Sequence, residues 1–216
     1  MRDYETHDDS RVRDLQMLVG SRFSFYNASM NPELQDKGYI LAKGLLEPSL
    51  ARVIYKTLLL QQWRGEFFRD NHIPTAASVS NTALTDAVLL ELRPRIEEIS
   101  GCRLVPTYSY ARVYFRGDTM IRHQDRVSCE VSVSIHLGRD GGDASLWFQP
   151  NAKVEMEEGD GAVYLGHEMG HWRERFTGNA MGQLFLHYVV ADRPRAAHYF
   201  DGHPQRFPPS ISERST

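Results

Sequence analysis

The sequence predicts a mainly β protein with flanking helices, a sandwich or barrel carried by its second half. Three observations lead there. Two stretches of helical period lie together in the first half; from Arg103 the apolar period changes to two; and short strand candidates then follow one another, separated by Gly-, Asn- and Asp-rich turns. With 216 residues, 41% hydrophobic and 25% charged, the chain can bury one core. A single domain spanning 1–216 is expected.

The first 36 residues are polar, with one short amphipathic stretch at 11–19, and read as an arm or lid. Residues 37–101 read as supporting helices. The first opens at Glu47-Pro48-Ser49, with proline where helix entry favours it, and carries Leu50, Val53, Ile54, Leu58 and Trp63 at three-to-four spacing to pack on a sheet. Residues 65–81 mix turn formers with Phe67, Phe68 and Ile73 and read as a long loop bordering a site. A second helix over 82–100 turns Leu84, Val88, Leu89, Leu92, Ile96 and Ile99 inward, is kinked by Pro94 and stops at Gly101.

The β region occupies 102–191. Tyr108, Tyr110, Arg112 and Tyr114 alternate with Ser109, Ala111 and Val113, and the pattern recurs over 131–137. Further strands are expected at 145–149, 153–156, 161–165 and 183–190, joined by Gly-Arg-Asp-Gly-Gly, Pro-Asn and Glu-Gly-Asp-Gly turns. Residues 192–216, rich in Pro, Arg, His and Ser without periodicity, read as an extended tail.

A net charge of -3 and a pI near 6.3 give no field to gather nucleic acid or anionic lipid, and the basic residues are dispersed. Cys102 and Cys129 form no CxxC pair, which suits a reducing compartment. No stretch resembles a signal peptide or a membrane span, so a cytoplasmic protein is expected. The oligomeric state is not encoded in any of these features.

The chemistry concentrates in His123-Gln124-Asp125 and His171. Residues two apart on a strand share a face, so this short segment can offer an imidazole and a carboxylate to one ion, with His171 arriving from a later strand. Two imidazoles and one carboxylate form the set that leaves positions open on ferrous iron. His-x-Asp alone is a common pattern, and its weight comes from the β-rich context.

That context resembles the iron(II)- and 2-oxoglutarate-dependent dioxygenases, nearest to their prolyl-hydroxylase-like branch. The phrases that carry the likeness are Tyr-Phe-Arg-Gly-Asp-Thr-Met-Ile-Arg-His-Gln-Asp ending at Asp125, Glu-Gly-Asp-Gly-Ala-Val-Tyr ending at Tyr164, and His171 leading to Gln-Leu-Phe-Leu-His-Tyr-Val. The resemblance implies a double-stranded β-helix, the jelly-roll or cupin-like barrel, supported by the two helices. It implies Fe(II) on His123, Asp125 and His171, 2-oxoglutarate and O2 as cosubstrates, and hydroxylation of a small-molecule or amino-acid-like substrate. Tyr114 would hydrogen-bond the cosubstrate.

One departure concerns the basic residue that holds the far carboxylate of 2-oxoglutarate, normally Arg or Lys beyond the distal histidine. That window holds Ala180, Met181, Gly182 and Gln183, and a neutral amide cannot supply charge-assisted pairing. Arg173, two residues past His171, would point into the same interior if the strand continues, and a buried arginine is costly unless it meets an anion. Gln183 and His136 could add hydrogen bonds. Arg112 and Arg126 are candidate substrate contacts.

A rival motif overlaps the distal histidine. His167-Glu168-Met169-Gly170-His171 matches H-E-x-x-H, in which one helical face offers two histidines to zinc in a metallopeptidase. Gly159, Gly161, Gly166 and Gly170 resist a helix there, and Thr177 stands where the longer motif has its last histidine. A non-redox cupin-like binding barrel is a third possibility. Arg126 and Glu130 are placed for a surface ion pair or a substrate contact; Trp147, Phe148 and Trp172 read as core; and His187, inward on the last strand, reads as a satisfied core histidine or as a donor behind a metal ligand.

Overall fold

The computed structural model describes residues 30–201 and His203. Two antiparallel sheets form its body. The larger has six strands in the order β1-β8-β5-β10-β3-β2, and the smaller has four in the order β4-β9-β6-β7. The strands are β1 (Tyr39–Ala42), β2 (Ala77–Ser80), β3 (Leu104–Phe115), β4 (Met120–His123), β5 (Val131–Asp140), β6 (Leu146–Phe148), β7 (Ala152–Val154), β8 (Gly161–Tyr164), β9 (His171–Arg173) and β10 (Ala180–Val190). The helices are α1 (Pro32–Lys37), α2 (Pro48–Arg64) and α3 (Ala83–Ser100), with a 3-10 helix at Pro194–His198. Among the described residues no helix is long and apolar enough to cross a membrane.

Period two divides the larger sheet into two chemically different faces. Ala111, Val113, Val131, Val133, Ile135, Leu184 and Leu186 point to one side and join Ala51, Ile54 and Leu58 of α2 and Val88, Leu89, Leu92 and Ile96 of α3 in one core cluster. The alternate residues line the other face: Tyr110, Arg112 and Tyr114 on β3, Ser132, Ser134 and His136 on β5, Gln183, Phe185 and His187 on β10. Cross-strand register brings Gln183 opposite both Arg112 and His136, and His187 opposite Tyr108 and Ser132. Tyr114, Tyr164, Met181 and Phe185 meet Met120, Leu146, Phe148 and Val154 from the smaller sheet in a second apolar cluster.

Helix α3 follows the expected pattern. Thr82 and Thr85 form its capping box, Gly101 closes it in the left-handed conformation, and Pro94 lies inside. Helix α2 sits where the sequence places it and buries Ile54 and Leu58 as expected, but its inward stripe runs through Ala51 and Tyr55 instead of Leu50, Val53 and Trp63. Leu50, Val53 and Trp63 are exposed, Trp63 by 79%, while Ala51, Ile54 and Leu58 are buried. The reason is Tyr55, whose ring lies over Gly138 of β5 and Gly182 of β10, where no Cβ stands in its way.

Three other expectations are corrected. Residues 37–101 hold two edge strands besides helices: β1 pairs with β8, and β2, inside the expected loop, pairs with β3. Of the polar arm or lid, residues 1–29, including the amphipathic 11–19, lie outside the described residues; 32–36 belong to α1, whose Leu34 is wholly buried. The tail is not extended where it is described. Phe200 is buried in the main cluster, Arg195 pairs with Glu130, and His203 Nε2 lies 2.9 Å from Asp86 Oδ2; residues 202 and 204–216 lie outside the described set.

A Cβ added at Gly182 would fall 2.4 Å from Tyr55 Cδ2. Gly182→Ala therefore costs about 1–3 kcal/mol through overpacking, read as a lower urea midpoint at unchanged slope. An unaltered midpoint would show that Tyr55 does not fix the seat of α2.

Candidate metal centre

Strands β4 and β9 pair so that His123 stands directly opposite His171. The first strand ends at His123, so Asp125 reaches the site from the segment beyond it rather than from a continuing strand. Its own N–H donates to Gly166 O at 2.9 Å, which pins it to the turn before β9. One ligand atom from each of His123, Asp125 and His171 lies within 4.8 Å of the other two.

The hydrogen bonds orient all three. His123 Nδ1 is 2.9 Å from Ile121 O and His171 Nδ1 is 3.0 Å from Met169 O, in each case the carbonyl two residues earlier. A carbonyl only accepts, so each ring carries its proton on Nδ1 and turns the Nε2 lone pair inward, the tautomer a metal needs. Asp125 Oδ1 lies 3.7 Å from His123 Nε2 and 3.6 Å from His171 Nε2. Burial pushes the His171 pKa down, with Asp125 acting against it. Two nitrogen donors and one oxygen donor converging on one point suit a divalent cation with open positions.

The rival motif is not built as a helix. Glu168 and Met169 each donate a backbone N–H to Leu165 O in a single turn, and His171 then opens β9. His167 Nε2 accepts from Arg195 Nη1 at 2.8 Å, and His167 is in neither converging group among the described residues, His123, Asp125 and His171 or Asp125, Cys129 and His187. The glycines at 166 and 170 favour turn over helix, and the zinc metallopeptidase reading loses its geometry.

Beyond the three, Arg173 is 3% exposed and continues β9 two residues past His171. Its Nη1 donates to Ala144 O at 2.6 Å and Ser145 O at 3.1 Å, and its Nη2 to Ser134 Oγ and Gln183 Oε1, both at 3.0 Å. Its Nε has no partner, and no carboxylate pairs with it among the described residues. Burial pushes its pKa down. The Gln183 amide donates through Nε2 to His136 Nδ1 at 2.9 Å. Burial, then Arg173 and Arg139, push His136 down to about 3, so it is neutral.

Tyr114 lies between two guanidinium groups, with Arg173 Cζ 5.8 Å and Arg112 Cζ 5.6 Å from its ring centroid. Arg112 donates to Asp70 and at 3.0 Å to Tyr110 Oη. Burial opposes ionisation of Asp70, but the Tyr110 hydroxyl, the Ile73 N–H and Arg112 overcome it and hold its pKa at about 2. Tyr114, Arg173, Gln183 and His136 thus form one connected polar group, and Arg112 joins it through Tyr114. Arg126 does not. Its side chain is half exposed, pairs with Asp201 at 3.3 Å and lies over the Tyr108 ring at 4.3 Å.

The Arg126–Glu130 pair is absent; Glu130 is buried and takes Arg195, Arg193 and the Val190 N–H. Phe148 is buried and stacks on Tyr39 at 4.5 Å, whereas Trp147 and Trp172 are half-buried and stack on each other at 6.0 Å across β6 and β9. Sequence reasoning singled out neither Asp70, His72 nor Ser132, and left His187 between a core histidine and a donor behind a ligand. His72 lies 5.8 Å from His123, ring to ring. Only Ser132 left a signal, in the repeated polar residues Ser132, Ser134 and His136 on one face of an otherwise apolar strand.

No family model matches the chain, and no curated protein does. Solved structures do. A Pseudomonas putida prolyl-4-hydroxylase is 18% identical with a TM-score of 0.58, covering 73% of this chain and 95% of its own. The non-heme alpha-ketoglutarate-dependent epimerase SnoN from nogalamycin biosynthesis is 11% identical with a TM-score of 0.65, covering 93% and 92%. The viral collagen prolyl hydroxylase from Paramecium Bursaria Chlorella virus-1, solved as a 2OG complex, is 10% identical with a TM-score of 0.56, covering 71% and 97%. At such identities the shared property is the fold: this chain is built on the fold of these hydroxylases and this epimerase.

Proposed function

We propose that the chain is an Fe(II)- and 2-oxoglutarate-dependent dioxygenase, one domain whose two sheets form a double-stranded β-helix. Its substrate is a small molecule or an amino-acid-like compound, oxidised at a C–H bond, in the simplest case by hydroxylation. The observation that carries this reading is Arg173, a buried guanidinium two residues from a converging histidine and paired with no carboxylate among the described residues. Charge bookkeeping points the same way. Asp70 answers Arg112 and Asp125 faces the two histidines, so Arg173 is left to a carboxylate that a ligand brings.

In this reading His123, Asp125 and His171 hold Fe(II). With 2-oxoglutarate and O2, that ion supplies the oxidising power, and 2-oxoglutarate leaves as succinate and carbon dioxide. The protein supplies position and exclusion. Arg173 receives the far carboxylate of 2-oxoglutarate, Gln183 and the neutral His136 hold Arg173 in line, and Tyr114 packs against it. Phe148, Tyr164 and Met181 keep water from the space between. The loop ahead of β2, tied down by Asp70 to Arg112 and carrying His72, forms one wall on the substrate side, with Arg126 at the rim.

Anaerobic addition of Fe(II) and then 2-oxoglutarate is expected to produce the weak visible charge-transfer band of the chelate. His171→Ala and Asp125→Ala abolish the band, and His167→Ala leaves it. A band lost with His167 and kept without His171 rejects this ligand set, and a chain that binds metal without turning over 2-oxoglutarate is a non-redox barrel.

Removing one partner of a buried charge pair costs about 2–5 kcal/mol. Arg173→Ala is therefore expected to weaken 2-oxoglutarate binding by one to three orders of magnitude while Fe(II) affinity changes much less. Calorimetric titration of each ligand separates the two, and equal 2-oxoglutarate affinity in mutant and parent removes Arg173 as the anchor.

A further inference from the structure

The oxygen of Asp125 that faces away from the two histidines is already engaged. Ser132, wholly buried on β5, donates its hydroxyl to Asp125 Oδ2 at 3.0 Å. A carboxylate only accepts, so the single hydroxyl proton is committed to it. The 2.9 Å contact between Ser132 Oγ and His187 Nδ1 must then run the other way, with the imidazole donating to the hydroxyl oxygen. A directed chain results, from His187 through Ser132 to Asp125.

Both ends of that chain are fixed. His187 stands opposite Ser132 in the β10–β5 register, and its ring stacks on Tyr108 at 4.3 Å. Gly166 closes over the other end, since a Cβ there would fall 2.2 Å from Ser132 Oγ and 2.6 Å from Asp125 Oδ2. Free of such a tether, a carboxylate can present both oxygens to one hard cation. Held through Oδ2, Asp125 turns Oδ1 toward the two histidines.

We propose that Ser132, aligned by His187, is a positioning residue that makes Asp125 a one-oxygen ligand and thereby sets both cation affinity and the number of coordination positions left open. This rests on the iron reading above and assigns the device that keeps the metal face open. Outer partners of ligating groups typically change metal affinity by about 10–100-fold.

The test uses the full chain and Fe(II) alone, added anaerobically against a competing chelator. Ser132→Ala and His187→Phe are expected to weaken Fe(II) binding by about 10–100-fold. His187→Asn, whose amide can place an N–H where Nδ1 stood, is expected to stay near the parent. Thermal midpoints of the metal-free proteins supply the second readout, because a role confined to packing would lower stability in both His187 variants and leave affinity alone. Parent-like affinity in Ser132→Ala, or equal losses in His187→Asn and His187→Phe, overturns the proposal. Should Ser132→Ala not fold, the His187 pair decides. A parent chain that fails to bind Fe(II) rejects the iron reading and the proposal together, whereas a binding parent with unaffected variants rejects the proposal alone.

Discussion

Two guanidinium groups buried between the sheets, Arg112 and Arg173, constrain the rest of this interior. Charge taken out of water must be compensated close by, and the two arginines meet that demand differently. Arg112 has the Asp70 carboxylate, brought over by the loop ahead of β2, so its compensation is internal and ties that loop to the sheet. Among the described residues Arg173 meets backbone carbonyls, a serine hydroxyl, the Gln183 amide and the Tyr114 ring, and no carboxylate. Dipoles satisfy its hydrogens in part and leave its charge in place. The same strand that buries it also delivers His171, so the uncompensated charge and the histidine pair sit at a spacing set by the pleat.

The larger sheet makes such an interior affordable. Its helix-facing side is aliphatic and closely packed under α2 and α3, and this is where apolar burial stabilises the fold. The opposite side carries serines, histidines, an amide and tyrosines, linked across neighbouring strands. Networks of this kind rigidify a site when every member is satisfied and weaken it when one is not. The cross-strand register is therefore as much a part of the candidate metal site as the three converging side chains are, because a slip by one residue would turn aliphatic side chains into the gap.

Much of this was legible in the sequence where a residue's role depends on its own strand. The alternation of β3, β5 and β10, the capped helix α3, and the two candidate histidines with their aspartate could be read from period and residue type, and so could Arg173 as an expensive side chain two positions from His171. Roles fixed by a partner distant in sequence were hidden. Asp70 looks like any loop aspartate until Arg112 is placed beside it, and Ser132 like any strand serine until His187 and Asp125 flank it. The buried face of α2 was read only in part, with Ile54 and Leu58 right and Leu50, Val53 and Trp63 wrong, because its rotation is set by Tyr55 over Gly138 and Gly182, far along the chain. The 3-10 helix was missed because its anchors, Glu130 and the core around Phe200, belong to other elements.

The last described segment bears on the site from outside. Arg195 reaches Glu130 and His167 together, and the His167 N–H donates to Cys129 O, so the chain end braces the turn whose Gly166 carbonyl holds Asp125. Whatever steadies that turn from within also steadies the 3-10 helix, and the reverse follows from thermodynamic reciprocity. A substitution at Arg195 is thus felt at Asp125 through the backbone, at a residue that touches none of the three candidate ligands.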